Sequence, residues 1–139
     1  MIAALLLLAL ADPPATIDGL PIGGLPRQVL PPKGCAAYLF TIGQTRTLAV
    51  MAGADALRIA LDGKPLDIAR ATATGPVAHG LSRDTEYRGT DVTARLTMTI
   101  EDRADLAQGA AVPDALLMLE RPGKDAVAIP LAGLVGCAA

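Results

Sequence analysis

The sequence has no tryptophan, one phenylalanine and two tyrosines among its 139 residues, so aromatic side chains make up only 2% of the chain. Proteins that bind single-stranded nucleic acid stack bases on aromatic platforms, which this chain largely lacks. Long charged runs are missing as well, because the 12 basic and 14 acidic residues are scattered. Without a basic stripe, we expect no nucleic-acid partner.

Motifs for metals, cofactors and catalysis are also sparse. Two cysteines and one histidine without a C-x-x-C spacing do not spell a tetrahedral metal site, and neither "GPVAHG" nor "GGLPRQ" has the lysine and hydroxyl of a phosphate loop. A serine nucleophile elbow is missing too. His79, Ser82 and Asp84 spell a Ser-His-Asp set, but residues this close in sequence rarely converge. We therefore predict a non-catalytic protein without cofactor or metal.

The N-terminal stretch "MIAALLLLAL" is predicted to be an export signal. It is an apolar block too short to cross a bilayer, and Ala9-Leu10-Ala11 places small residues at the spacing that signal peptidase recognises. We expect cleavage after residues 1–11, a mature chain that begins at Asp12 without a transmembrane segment, and a periplasmic or secreted location. The alternative is that this block forms a buried first strand or helix.

Residues 12–34 are predicted to form a leader or linker. They hold six of the chain's 11 prolines together with several glycines. Proline fixes φ and lacks a backbone donor, and glycine loses much entropy on ordering, so no regular element is expected there. Residues 35–139 have the size of one domain, and a chain with 52% hydrophobic residues can build a core.

From Cys35 onward the apolar residues alternate with a period of two. In "VTARLTMTI", which begins at Val92, every second residue from Val92 to Ile100 is apolar and the residues between them are polar, as in a half-buried strand. Asp62-Gly63 and Pro122-Gly123 lie between further alternating runs and predict two β-hairpins, and Pro130 indicates an edge or an interruption in the last strand. The stretch "EDRADLAQGAA" gives at most a turn or two of helix. The pattern predicts an all-β fold, a small antiparallel barrel or sandwich of seven or eight short strands.

The two cysteines bracket this patterned region. In such a fold the first and last strands often lie side by side, which brings Cys35 close to Cys137. A bond between them would close a loop of about a hundred residues and stabilise the domain by about 4 to 5 kcal/mol. A disulfide requires an oxidising compartment, in agreement with the export signal. The alternative is two unrelated buried thiols.

The polar residues are densest in "HGLSRDTEY" and further on in "IEDRAD". We interpret the first cluster as a candidate partner-contact loop formed by His79, Ser82, Arg83, Asp84, Glu86 and Tyr87. The second contains Glu101, Asp102 and Asp105, and we interpret it as a solvated turn rather than a calcium site, because an arginine lies among the carboxylates and no EF-hand-type glycine follows.

The order of these features resembles a known family. A cysteine opening the first strand, the hairpin "LDGKPLDIA", the stretch "LSRDTEY" and a closing cysteine are similar in layout to the small periplasmic β-barrels that inhibit c-type lysozyme. The resemblance extends from Cys35 to Cys137. It implies that Ser82 and Tyr87 belong to an inhibitory loop. Arg83 occupies the position of the family's glycine, and "VTARLTMTI" replaces its tryptophan-containing strand.

Three functions fit this sequence. The first is a non-catalytic binding or structural module of the cell envelope, since no nucleophile, base and metal set is recognisable. The second is a protein inhibitor of an enzyme such as lysozyme, which a protruding polar loop would favour. The third is a barrel that binds a small apolar ligand within its aliphatic interior, which an open, dry cavity would favour. The expected partner is accordingly an envelope protein or a small apolar ligand.

Overall fold

The alternating sequence forms strands throughout. The computed structural model describes residues 13–43, 45–106 and 109–138, and within these ranges the regular elements are nine β-strands and no helix. The strands are β1 Ile22–Gly23, β2 Cys35–Thr41, β3 Leu48–Gly53, β4 Ala56–Leu61, β5 Lys64–Ala78, β6 Leu81–Arg88, β7 Thr93–Glu101, β8 Gly109–Glu120 and β9 Val127–Cys137. The prediction of an all-β fold is confirmed.

Strands β2 to β9 form a closed up-and-down barrel. Each strand pairs antiparallel with the next one along the chain, and β9 pairs back onto β2. β1 is an additional short strand that pairs with the end of β4. An eight-stranded barrel has an interior that side chains can fill. Of the two predicted architectures, the barrel is therefore the one that the chain adopts.

Both predicted hairpins are confirmed. At the first, Leu61 pairs with Lys64, and Asp62 and Gly63 have φ angles of 52° and 79°. Two positive φ angles are what a type I′ turn requires, and its twist matches that of the flanking strands. The second hairpin joins β8 to β9 around Pro122-Gly123.

Pro130 does not interrupt β9, which continues to its end at Cys137. Pro130 pairs with Leu116 of β8, whereas the pairing of β9 with β2 begins only at Leu131. Proline lacks a backbone donor and is tolerated where one side of a strand is unpaired. Because β9 pairs with β8 on one side and with β2 on the other, the predictions of an edge strand and of an interruption at Pro130 are both wrong.

The barrel interior is filled by the protein's own aliphatic side chains. The inward positions of consecutive strands are almost completely buried, among them Leu39, Val50, Leu57, Ile59, Ile68, Leu96, Leu117, Ile129 and Leu131. A void beneath the β5–β6 hairpin measures about 10 Å³, which is the space of about one water molecule. At the seam between β2 and β9, a Cβ on Gly133 would collide with the backbone oxygen of Tyr38, so the strands approach closely there.

The lower end of the barrel, where β4 turns into β5, is covered by the predicted leader. Ile17, Ile22 and Leu25 are at most 5% exposed. The Leu25 backbone nitrogen donates to the Leu48 carbonyl, and Ile22 pairs with Leu61. The prediction that this segment has no regular element is wrong at β1, because burying these aliphatic side chains offsets the entropy of ordering the backbone.

The upper end of the barrel carries the β5–β6 hairpin. Residues 64–69 of β5 pair with β4, whereas from Arg70 onward β5 pairs only with β6 among the described residues. The hairpin therefore extends beyond the end of β4. Its inner face buries Leu81 and Tyr87, which are 3% and 1% exposed.

The predicted export signal, residues 1–11, lies outside the described residues. In the part of the chain that the structure covers, no helix has the length and apolar character needed to span a membrane.

Candidate functional site

A disulfide joins the ends of the first and last barrel strands, as predicted. Cys35 opens β2 and Cys137 closes β9, their Cα atoms are 4.0 Å apart, and the two residues are paired in register. Both are partly buried. The bond spans 102 positions of the sequence and fastens the seam where the barrel closes.

His79 lies at the tip of the β5–β6 hairpin, in a second two-residue turn. Ala78 pairs with Leu81, and His79 and Gly80 have φ angles of 53° and 75°. Glycine adopts such angles freely, but histidine does so only at a modest energetic cost. The turn itself would accept asparagine or aspartate at this position. The turn therefore holds the imidazole at the tip of the hairpin.

The imidazole of His79 reaches the disulfide. Side-chain ligand atoms of His79, Cys35 and Cys137 all lie within 4.8 Å of one another. Because β5 and β6 are on the opposite side of the barrel from the β2–β9 seam, the hairpin must cross the upper end to make this contact. The spacing of these residues in the sequence gave no sign that they would meet.

Asp102 orients the imidazole. Its Oδ1 atom lies 2.7 Å from His79 Nε2, directly after the end of β7. The His79 side chain is 28% exposed and that of Asp102 is 81% exposed. In the neutral ring, this contact places the proton on Nε2 and leaves the Nδ1 lone pair free. The neighbouring carboxylate of Asp105 instead pairs with Arg103, at 3.4 Å.

An open cleft of about 350 Å³ gives solvent access to this site. Its lining includes Cys35 and His79 on one side and Arg58 and Asp67 on the other. Arg58 Nε and Nη2 donate to the two carboxylate oxygens of Asp67 at 2.7 and 3.1 Å. These hydrogen bonds lower the pKa of Asp67, although burial opposes them.

Most of the predicted partner-contact loop is a strand rather than a loop. Residues 81–88 form β6, which pairs with β5 on one side and β7 on the other. The outward carboxylates have partners, since Asp84 accepts from Thr97 at 2.9 Å and Glu86 accepts from Arg95 at 3.0 Å. His79 and Asp84 therefore do not pair with each other. Only His79 lies in a turn.

Tyr87 is inside the barrel. It is 1% exposed, its hydroxyl donates to the Gly53 carbonyl at 3.0 Å, and burial raises its pKa. Ser82 and Arg83 lie at the other end of β6, next to the hairpin turn. The resemblance to lysozyme inhibitors implied that Ser82 and Tyr87 act from one loop, and the strand separates them onto different faces.

The outer face of the β2–β9 seam carries an apolar surface that the sequence analysis missed. Tyr38 pairs with Leu134 and Phe40 with Ala132, so these four side chains share the outward face. Leu30 lies against Gly136, and the Tyr38 hydroxyl donates to the Val29 carbonyl at 2.8 Å. We name this the outer apolar surface, formed by Val29, Leu30, Tyr38, Phe40, Ala132 and Leu134. The alternation in "CAAYLFTI" could have revealed it, because two aromatic residues occupy one face of that strand.

A groove of about 610 Å³ adjoins this surface. Phe40, Leu134 and Pro113 form part of its apolar lining, and Arg46 and Arg103 are its basic residues. Arg46 has no ion pair within the described ranges. The groove therefore combines apolar walls with an available guanidinium group.

Comparisons with known proteins do not assign the chain to a family: no family model, curated protein or solved structure matches it.

Proposed function

We propose that this protein is a non-catalytic binding module of the cell envelope, and that it holds a partner protein on its outer apolar surface. The supporting observation is the position of the aromatic residues. The chain has three, and two of them, Tyr38 and Phe40, lie side by side on the outward face of β2. Aromatic side chains are enriched at the centres of protein interfaces.

Exposure around these residues supports the same proposal. Leu134, which pairs with Tyr38, is 50% exposed, and Val29, whose carbonyl accepts from the Tyr38 hydroxyl, is 81% exposed. Contiguous exposed apolar surface is unfavourable in water and marks interaction sites. A partner that covers Leu134 and Phe40 would remove this surface from solvent.

The charge beside the surface defines the partner's chemistry. Arg46 borders the groove without an ion pair among the described residues, whereas the other charged residues of its lining are Glu101 and Arg103, and Arg103 already pairs with Asp105. A carboxylate next to apolar side chains would pair with Arg46 while the apolar groups occupy the groove. The proposed occupant is therefore a protein segment that carries apolar side chains and an acidic residue.

Export is part of the proposal. Its support is the apolar block at residues 1–10 and the disulfide, which persists in oxidising compartments. N-terminal sequencing of the protein from its native host is expected to begin at or near Asp12. Soluble cytosolic protein that retains Met1 would contradict this part.

Photo-cross-linking from single positions tests the interaction. A photoreactive amino acid at Leu134 is expected to give a cross-link to another protein in the envelope fraction, and the same group at Val77, which is 66% exposed on β5, is the matched control. Leu134→Asp and Arg46→Glu should each weaken co-purification of the cross-linked partner. Equal cross-linking from Val77, a product of twice the chain's own mass, or a partner retained equally by both variants would contradict the proposal.

Inhibition of c-type lysozyme is a separate measurement. The position of Tyr87 inside the barrel gives the inhibitor hypothesis no support, and we expect the purified protein to leave lysozyme activity unchanged.

A further inference from the structure

We propose that the upper end of the barrel is a redox-dependent metal site, in which Cys35, Cys137 and His79 bind a zinc-class divalent cation when the disulfide is reduced. The observation that carries the proposal is that three groups, which are distant in sequence, place their ligand atoms within 4.8 Å of one another. This inference is independent of the outer apolar surface.

The distances suit a small tetrahedral cation. Ideal zinc–sulfur and zinc–nitrogen bonds in a tetrahedral site place the ligand atoms about 3.5 to 3.8 Å apart. The two sulfur atoms are bonded to each other in the oxidised protein and must separate after reduction to make room for an ion. Rotation of the Cys35 and Cys137 side chains can separate the sulfur atoms, while strand pairing keeps the two backbones in place.

Asp102 has the geometry of an orienting group. Metal-binding histidines commonly donate their second ring N–H to a carboxylate, which fixes the tautomer and raises the basicity of the ligating nitrogen. The 2.7 Å contact between His79 Nε2 and Asp102 Oδ1 has this form. Nδ1 is then the nitrogen available to the metal. Water would complete the tetrahedron from the solvent side of the open cleft.

The conformation of the β5–β6 turn sets the position of His79. The residue adopts a φ of 53° at a turn position that asparagine or aspartate would occupy at lower cost. The hairpin places the imidazole of the chain's only histidine next to its only two cysteines.

The chemistry balances with one external reductant, a dithiol. The dithiol loses two electrons and two protons and forms its own disulfide, while the Cys35–Cys137 bond accepts them and becomes two thiols. Metal binding then displaces one proton from each thiol, and two metal–sulfur bonds and one metal–nitrogen bond form. In the reverse direction, the disulfide formed from the dithiol accepts two electrons from the Cys35 and Cys137 thiolates and two protons from solvent, the Cys35–Cys137 bond forms again, and the ion is released.

Cobalt titration is the test, because cobalt(II) occupies zinc sites and reports thiolate ligands by its absorption. The full chain, reduced by a phosphine under anaerobic conditions, is expected to bind one equivalent of Co²⁺ with thiolate charge-transfer and tetrahedral d–d bands, which Zn²⁺ then removes. The oxidised protein should show neither band. Identical spectra in both redox states, or no bands in the reduced protein, would overturn the proposal.

Variants separate a built site from two free thiols. Asp102→Asn is expected to lower the metal affinity about 10- to 100-fold through the loss of the orienting carboxylate. Asp105→Asn, on the same exposed segment, is the matched control and should have no effect. His79→Asn preserves the turn and should lower the affinity further. Unchanged affinity in Asp102→Asn and His79→Asn would show binding by thiols alone and overturn the site.

Circular dichroism covers the case in which the reduced apo-protein unfolds. Addition of Zn²⁺ is then expected to restore the β-sheet signal, because the ion binds only the folded arrangement. A reduced chain that stays unfolded in excess Zn²⁺ would also overturn the proposal.

Discussion

The two ends of the barrel are closed by different kinds of interaction. At the lower end, Ile17, Ile22 and Leu25 pack onto the barrel and exclude water. At the upper end, a disulfide fastens the seam between β2 and β9, the Tyr87 hydroxyl donates to the Gly53 carbonyl, and His79 at the tip of the β5–β6 hairpin contacts Asp102. Apolar burial depends on neither protons nor electrons, whereas the disulfide can accept electrons and the Tyr87 hydroxyl can lose a proton. The lower end is therefore a fixed closure and the upper end a responsive one.

The largest loss of stability is expected from a substitution that disrupts the apolar packing at the lower end of the barrel. Ile22→Asp places a carboxylate at a completely buried position, and this should lower the free energy of unfolding by several kcal/mol, comparable with the whole stability of a small domain. Val29→Asp, at an 81% exposed position of the same segment, is the control. Chemical denaturation measures both. Equal midpoints would mean that the N-terminal segment contributes no stability.

Removal of the disulfide breaks the upper closure. Cys35→Ser, measured with a metal chelator present, should lower the free energy of unfolding by about 4 to 5 kcal/mol on the chain-entropy model. Cys137→Ser and the double variant should lose the same amount, because all three lack one bond. Additive losses in the double variant, or two reactive thiols in the oxidised wild-type protein, would disagree with the pairing.

The raised pKa of Tyr87 makes the free energy of unfolding depend on pH through the upper end of the barrel. Burial raises its folded-state pKa, while its hydrogen bond to Thr85 acts in the opposite direction. Above the unfolded-state value of about 10, the unfolded chain binds fewer protons than the folded one, so stability falls as the pH rises. Tyr87→Phe should cost about 1 kcal/mol at neutral pH from the lost hydrogen bond.

The difference in stability between wild type and Tyr87→Phe should shrink as the pH rises through that range, because only the wild type contains this group. Urea denaturation from pH 7 to 11 follows it. Tyr38, whose pKa burial also raises, is present in both proteins and does not affect the difference. A gap that stays constant would contradict the burial of the Tyr87 hydroxyl.

The smallest effect concerns the two similar turns, one at each end. His79→Asn should leave stability unchanged or raise it by a few tenths of a kcal/mol, roughly the gain expected when asparagine replaces histidine at a positive φ. Asp62→His at the lower turn also removes the 3.5 Å ion pair between Asp62 and Arg121, and it should lower stability by up to about 1 kcal/mol. Thermal melts of the oxidised proteins measure both changes. A large loss in His79→Asn would mean that the imidazole is a major structural contact in the oxidised state.

The sequence predicts the strands better than it predicts the ends of the barrel. Alternation identifies the inward faces because a strand with one buried side must repeat every two residues. Asp62-Gly63 identifies a hairpin because few other residue pairs adopt two positive φ angles. The pairing of Cys35 with Cys137 followed from the expectation that the terminal strands are neighbours. Each of these signals is local or depends on a simple topology.

The candidate sites depend on long-range contacts that these local signals do not encode. Burial of Ile22 depends on contacts with residues far along the chain, so its proline-rich surroundings led to the prediction of a linker. The contact between His79 and Asp102 depends on the position of the hairpin over the upper end of the barrel, and the alternation of apolar and polar residues does not encode that position. Tyr87 followed the alternation and is buried, but its polar neighbours led to the prediction of a loop.

The seam between β2 and β9 has a consequence for the order of folding. The hairpins join strands that are adjacent in sequence and can form within microseconds, but the barrel closes only through contacts between residues about a hundred positions apart. Until β9 pairs with β2, one side of β2 is an open sheet edge with unpaired backbone donors and acceptors, next to the side chains of Tyr38 and Phe40. A newly made chain is therefore most vulnerable to aggregation just before closure, and a chaperone that shields β2 during this interval would raise the yield of folded protein more than one that binds any hairpin.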